Sequence, residues 1–316
     1  MTETPVITGR SWAMILALGF VWGATFMVQD LALDHMPPVW IAAARTGFAA
    51  LLTVSVWRLF GTPLWTGPAR AWTMLVIVSL CSAALPFIAL AWAQQHVTSG
   101  YVGVSMAAVA LIVLPLAHLF VPGERMTLRR TAGFLIGFLG VAVLMGPSIF
   151  ASTGADSETA GRLACLFAAF CYALSSILMR RLPPVDPVAL SAMTLVIGAT
   201  LVIPLALIVE GPPPRPAPEG LALLLLLGLL PTAGANLLRV LTIRSAGPVF
   251  MSLTNYMVPL WSVSLGVLVL GEPFRWSLIV ALGLILAGVF LSQWGALRRL
   301  FSRRSSPNLN QPRGKI

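Results

Sequence analysis

The sequence predicts an all-α membrane protein of ten transmembrane helices, built as two inverted five-helix repeats with both termini in the cytoplasm. Three observations predict it: an apolar, charge-poor composition, ten apolar stretches of membrane length, and a pattern in the first half that recurs in the second.

Of 316 residues, 58% are hydrophobic and only 9% are charged. A soluble domain carries roughly a quarter charged residues, so most of this surface is solvated by lipid. The net charge of +10 comes from short basic clusters between apolar runs. Clusters of that kind are topology signals rather than a nucleic-acid stripe, and a nucleic-acid partner is excluded. Cys81, Cys165 and Cys171 lie inside apolar runs without metal-ligand spacing. They read as small packing residues, with no disulfide framework and no metal site. The stretch from Ser11 to about Val28 follows Arg10 and is long for a signal-peptide core, so it reads as a first membrane helix.

A membrane crossing takes about 20 apolar residues at about 1.5 Å rise each. Segments 11–30, 38–58, 71–92, 98–120, 130–149, 161–180, 187–209, 219–240, 248–270 and 276–296 qualify. The breaks between them are rich in Pro, Gly or charge, as at Met36-Pro37-Pro38, Gly61-Thr62-Pro63, Gly123-Glu124-Arg125 and Gly211-Pro212-Pro213-Pro214. Residues 297–316 form a basic tail. With the N-terminus inside, sixteen of the twenty Lys and Arg residues fall on the cytoplasmic side. Arg162, Arg215 and Arg275 fall outside, and Arg45 sits within a helix. Lys/Arg bias sets orientation, and an even number of crossings returns the C-terminus to the same side. Trp12, Trp40, Trp57, Trp72, Trp92, Trp276 and Trp294 lie near segment ends, as in an aromatic belt, while Trp22 and Trp261 lie near segment middles.

The recurrence is specific. Leu119-Phe120-Val121-Pro122-Gly123-Glu124 corresponds to Val267-Leu268-Val269-Leu270-Gly271-Glu272, and Gly140-Val141 corresponds to Gly288-Val289 at the same offset. The repeats span 11–149 and 161–296, five segments each. An odd number forces the second repeat to insert upside down. Inverted repeats are an architecture of secondary transporters, with the substrate site near the bilayer midplane between them.

The chain resembles the EamA-type members of the drug/metabolite transporter superfamily over about residues 12–296. Val21-Trp22-Gly23-Ala24-Thr25-Phe26, Ala43-Ala44-Arg45, Leu270-Gly271-Glu272-Pro273 and Ala287-Gly288-Val289-Phe290-Leu291 carry the likeness. The resemblance implies ten helices with cytoplasmic ends in a bacterial inner membrane, and export of amino acids or related metabolites. Where family members often have Glu-Pro midway in helix 9, this chain has Val258-Pro259, and the helix-4 proline is Pro115, one turn later than the family position.

All ten acidic residues fall in loops or at segment ends. Proton relays in pumps usually use Asp, Glu or His at membrane depth, so carboxylate-driven coupling is disfavoured, and a facilitator, or coupling through a less obvious group, is favoured. Arg45 lies seven residues into its segment, about 10 Å below the boundary. A central Arg costs on the order of 3 kcal/mol, so it must face a partner or a wet cavity. A substrate contact, a bond to helix-end carbonyls, and snorkelling to Asp30 or Asp34 are all open readings. Asn255, Tyr256 and Pro259 belong to a polar stripe on segment 9, and Asn236 shares a face with Thr232 and Arg239 on segment 8. Arg239 itself reads as a boundary residue. Trp22 and Tyr172 occupy matching places in the two repeats, where they either flank a substrate or pack.

Pro86, Pro115, Pro231 and Pro259 interrupt segments 3, 4, 8 and 9 and are hinge candidates. Glycines 133, 137, 140, 283 and 288 read as helix-packing positions. His118 reads as interfacial and His96 as solvated. Nothing in the pattern supports an enzyme: there is no His-Glu-x-x-His motif and no acidic pair at depth. A monomeric carrier needing no cofactor is expected, its partners a small-molecule substrate and the bilayer. Amino acids are the first substrate expected, with organic anions or sugar phosphates next and a scaffold as the non-transport alternative.

Overall fold

The computed structural model describes residues 7–60, 67–121, 125–145, 156–183, 185–246 and 248–302. Among these the secondary structure is helical. The helices are α1 (Gly9–Leu33), α2 (Pro38–Phe60), α3 (Ala69–Ser79), α4 (Leu85–Ala93), α5 (Ser99–Phe120), α6 (Leu128–Met145) and α7 (Asp156–Met179). They continue as α8 (Pro187–Val209), α9 (Pro218–Leu227), α10 (Ala235–Ala246), α11 (Pro248–Met251), α12 (Thr254–Val269) and α13 (Trp276–Ser302). Two π-helical segments, π1 (Leu80–Ala84) and π2 (Gly228–Gly234), join α3 to α4 and α9 to α10 without breaking the rods.

Eight rods among the described residues are long and apolar enough to cross a membrane. The ninth predicted segment differs: it is split at Ser252 and Leu253, leaving α12 as a shorter apolar helix, Thr254–Val269. The fifth is described as far as Met145, with 146–149 outside the described residues, as are the loop at 61–63, Glu124 and the tail beyond Ser302.

Helix starts follow local chemistry. The Thr8 side chain accepts from the Ser11 amide in a capping box, and the Thr98 side chain accepts from the Tyr101 amide. Asp186 accepts from the amides of Val188 and Ala189 just ahead of the Pro187-led α8. Gly211 and Gly271 take φ of 76° and 67° directly after α8 and α12, the left-handed stop that favours glycine. Beside each stop an acid reaches across to another helix start. Glu210 accepts from the amides of Val39 and Trp40, both at 3.0 Å. Glu272 accepts from Ser99 at 2.6 Å and Gly100 at 3.1 Å.

Prolines act unequally. Pro86 stands just after π1, and Pro231 lies inside π2. Contrary to expectation, α5 runs unbroken through Pro115, and α12 through Pro259. The irregular turns lie instead in the α3–α4 and α9–α10 rods, at the π segments, where an extra residue enters the helical ladder.

The halves do not sit side by side as two separate bundles. The closest helix packing runs between them: α6 against α13, α2 against α8, α1 against α12, and α5 against both α7 and α12. Two hydrophobic cores result. One is built on α2, α8 and α9 through residues such as Ile41, Val202 and Leu227. The other is built on α5, α7, α12 and α13 through residues such as Val102, Cys165, Val263 and Ile285. Tyr172 touches both cores. The α6–α13 seam depends on missing side chains: a Cβ on Gly133 would lie 2.5 Å from the Gly288 carbonyl oxygen, and one on Gly140 2.8 Å from the Ile285 amide. Gly283 is a correction, because nothing stands within 4 Å of its Cβ position. The outer surface is apolar: Ile208 is 80% exposed and Leu268 81%. Water would not tolerate so much uncovered hydrocarbon, and lipid does.

Candidate functional site

Between the two cores lies a cavity of about 550 Å³, within the usual range for a small-molecule site. Both π segments reach its wall, through Ser82 and Ala83 of π1 and Pro231 and Thr232 of π2. The chemistry of π2 explains how the site is fixed. Pro231 has no N–H to give the carbonyl of Leu227, and the Thr232 hydroxyl donates to that carbonyl at 2.8 Å. The carbonyl of Pro231 accepts from the Trp22 indole at 3.1 Å. One irregular turn of the second half thereby positions two side chains, its own threonine and a tryptophan from the first half.

Thr232 in turn accepts from Nε of Arg45 at 2.8 Å. Arg45 Nη1 donates to Gln29 Oε1 at 3.1 Å, Gln29 Nε2 donates to Gln94 Oε1 at 2.7 Å, and Gln94 Nε2 donates to the Phe26 carbonyl at 2.8 Å. The guanidinium carbon lies 4.0 Å from the centre of the Phe87 ring, a cation–π contact. Arg45 is buried and lines the cavity. Its partners are neutral oxygens and an aromatic face. Neither Asp30 nor Asp34 reaches it, so the outward-snorkelling reading does not hold. Its Nη2 makes no hydrogen bond among the described residues.

Phe26 and Leu90 line the cavity towards the end where Gln29 and Gln94 are bonded together. Beyond these lie the Glu272 and Glu210 ties to the starts of α5 and α2. At the other end Met179, Val185 and Ile243 line it, at the ends of α7 and α10 and just ahead of α8.

Of the residues singled out in the sequence, Trp22, Arg45, Tyr172, Asn236 and Asn255 line this cavity, with Pro231 and Pro259. Asn236 Nδ2 donates to Ser191 Oγ at 2.6 Å. Tyr256 does not line it. One residue on from Asn255, the 100° turn per residue of a helix sends it elsewhere, to pack against the core of α5 and α13. Pro86 and Pro115 also stay outside. Of the segment-9 stripe, only Asn255 and Pro259 face the cavity, while Ser262 donates to the Ser99 carbonyl at 2.9 Å and packs against α5. Arg239 also lines the cavity, seven residues beyond Thr232 in sequence. His96 packs edge-on against Trp92, with ring centres 4.7 Å apart. Sequence reasoning missed Phe87 and Gln94. Phe87 follows Pro86, a signal that an irregular turn was near. Gln94 is the first of two adjacent glutamines just past a segment end and carries no such signal.

A small cavity with a buried cation on its wall, set between intertwined helices in a body with an apolar outer surface, fits one class: a multi-pass membrane transporter. The sequence profile of the EamA-like transporter family matches residues 10–146 and again 159–294. The chain belongs to that family. It is 25% identical over 283 residues to the "Uncharacterized inner membrane transporter YedA" of Escherichia coli strain K12, covering 89% of this chain and 90% of that one. It is 26% identical over 196 residues to the "Probable amino-acid metabolite efflux pump" of Salmonella typhimurium, covering 60% and 59%. A solved crystal structure with 20% identity superimposes with a TM-score of 0.65, covering 93% of this chain and 99% of its own. That likeness shows the fold.

Proposed function

We propose that this protein carries small metabolites across the inner membrane by alternating access, as a monomer. Ten crossings form two inverted repeats, with both termini in the cytoplasm. The observation that carries the reading is Arg45. It is a buried cation bonded only to neutral groups, at the closed end of a cavity that both repeats build.

Several features support the inversion. π1 and π2 stand at matching places in the two halves, at the offset that relates Glu124 to Glu272. Packing partners also exchange: α1 lies on α12 as α7 lies on α5. The basic residues put the Met179–Val185–Ile243 end on the cytoplasmic side. The cavity is then inward-facing, sealed outside by the glutamine pair and the two glutamate ties.

Amino acids are the first substrate class, in line with the efflux pump among the relatives. A carboxylate meets Arg45, and the body lies among Trp22, Phe87 and Tyr172. Organic anions are the second reading, favoured by Arg239 as a further cation on the wall. Flux of a labelled amino-acid and organic-acid panel into proteoliposomes, with and without a pH gradient, tests the reading. Saturable flux indifferent to the gradient is expected. Flux no faster than in protein-free vesicles overturns it.

A further inference from the structure

We infer that the cavity takes an organic dianion, two carboxylates on one short apolar frame, with one acid group at Arg45 and the other at Arg239. The inference rests on the carrier reading and names the substrate class of the same site.

The charge of the wall points there. Arg45 and Arg239 both line the cavity, and no Asp, Glu or His does so among the described residues. Arg45 meets only neutral partners. Arg239 makes no hydrogen bond or ion pair among the described residues. Buried charge left without a counter-charge is costly. Arg45 is buried and Arg239 half-buried, and two cations in one cavity with no acid on its wall are matched by a ligand bearing two negative charges. A zwitterion brings one carboxylate and an ammonium, and the ammonium finds neutral groups such as Ser176, Thr194 and Asn255 but no carboxylate on the wall.

The spacing selects the kind of dianion. Thr232, which holds Arg45, and Arg239 are seven residues apart, about 10 Å along the rod. Arg45 is anchored at Thr232, so the two cations are held from points about two helical turns apart on that rod. A phosphomonoester concentrates its charge on a single group and engages one of them. A glutarate-sized dicarboxylate engages both, with its methylene chain against Trp22, Phe87 and Tyr172 and the Asn236 amide between the ends.

The test compares glutarate with glutaramate, which has the same frame with one acid replaced by a neutral amide. Leucine and glycerol 3-phosphate are added, and all four are read by ligand-induced thermal stabilisation of the purified full chain and by proteoliposome counterflow. Wild type is expected to bind glutarate at least about tenfold more tightly than glutaramate, the value of one charge-assisted contact. Arg239→Gln is expected to bring that ratio close to one, Arg239→Lys to keep most of it, and Arg45→Gln to weaken both ligands. Equal binding of glutarate and glutaramate by wild type overturns the inference without any variant. So does glycerol 3-phosphate outranking glutarate, or leucine flux that Arg239→Gln leaves unchanged, although that last result keeps the carrier reading. Glutarate-selective stabilisation with no flux of any solute upholds the site and removes the carrier instead.

Discussion

Arg45 of α2 and Thr232 of π2 meet at 2.8 Å across the two halves of the chain, and the threonine does two jobs there. It accepts from the guanidinium while its own hydroxyl proton goes to the Leu227 carbonyl. Thr232→Val keeps the shape and removes both bonds. A buried N–H of Arg45 is then unsatisfied, and the loss is expected at about 1–3 kcal/mol. Thermal unfolding in detergent measures it, and Thr232→Ser should recover most of it. A Thr232→Val protein as stable as wild type would show that the bond carries little.

In the proposed orientation, the glutamine pair closes the outer end. Gln29 and Gln94 hold each other at 2.7 Å, and both are buried. Gln94→Leu cannot accept from Gln29 or donate to the Phe26 carbonyl. An outer seal weakened in this way should raise labelling of an engineered Phe26→Cys by membrane-impermeant thiol reagents added outside, by several-fold over the same cysteine with Gln94 intact. Unchanged labelling would place the seal elsewhere, at the Glu272 and Glu210 ties.

Glu272 reaches from the α12–α13 connection to the start of α5. Glu272→Ala leaves the Ser99 and Gly100 amides uncapped, at an expected cost of about 1–2 kcal/mol. Hydrogen exchange read by mass spectrometry should show faster exchange in the first turn of α5, and little change in α2, whose start Glu210 holds. Acceleration spread evenly over both helices would contradict two independent ties.

The α6–α13 seam separates two glycines that look alike in sequence. A methyl on Gly288 would press into Gly133 and Gly137 backbone atoms, so Gly288→Ala should destabilise by about 1–3 kcal/mol. Gly283 faces open space, and Gly283→Ala should be neutral or stabilising by up to about 1 kcal/mol through helix propensity. Denaturant titration of the two variants side by side distinguishes them.

The sequence was most informative where lipid imposes a period or a length. The helical segments, the Gly133–Gly288 approach and the place of Arg45 follow from apolar runs, small residues and the cost of a membrane charge. Tyr256 shows where that reasoning stops. It shares a polar stripe with Asn255, yet a stripe several residues wide spans more than one neighbour, and only packing decides which part faces the cavity. Arg239 shows a related limit: nearness to a segment end does not say whether a side chain also lines the cavity, and this one does. Gln94 pairs with Gln29 across 65 positions of sequence, and one chain carries no signal of such a partnership. The intertwining of the halves was also hidden, because a repeat in sequence does not say which helices exchange partners.

Whether transport runs through Arg45 is decided by counterflow in proteoliposomes of wild type against Arg45→Gln, using the solute that wild type carries best and size-exclusion profiles to confirm intact protein. Flux is expected to fall at least about tenfold, with Arg45→Lys between the two. Equal flux through wild type and Arg45→Gln would contradict it, because the solute would then be crossing without touching the buried cation.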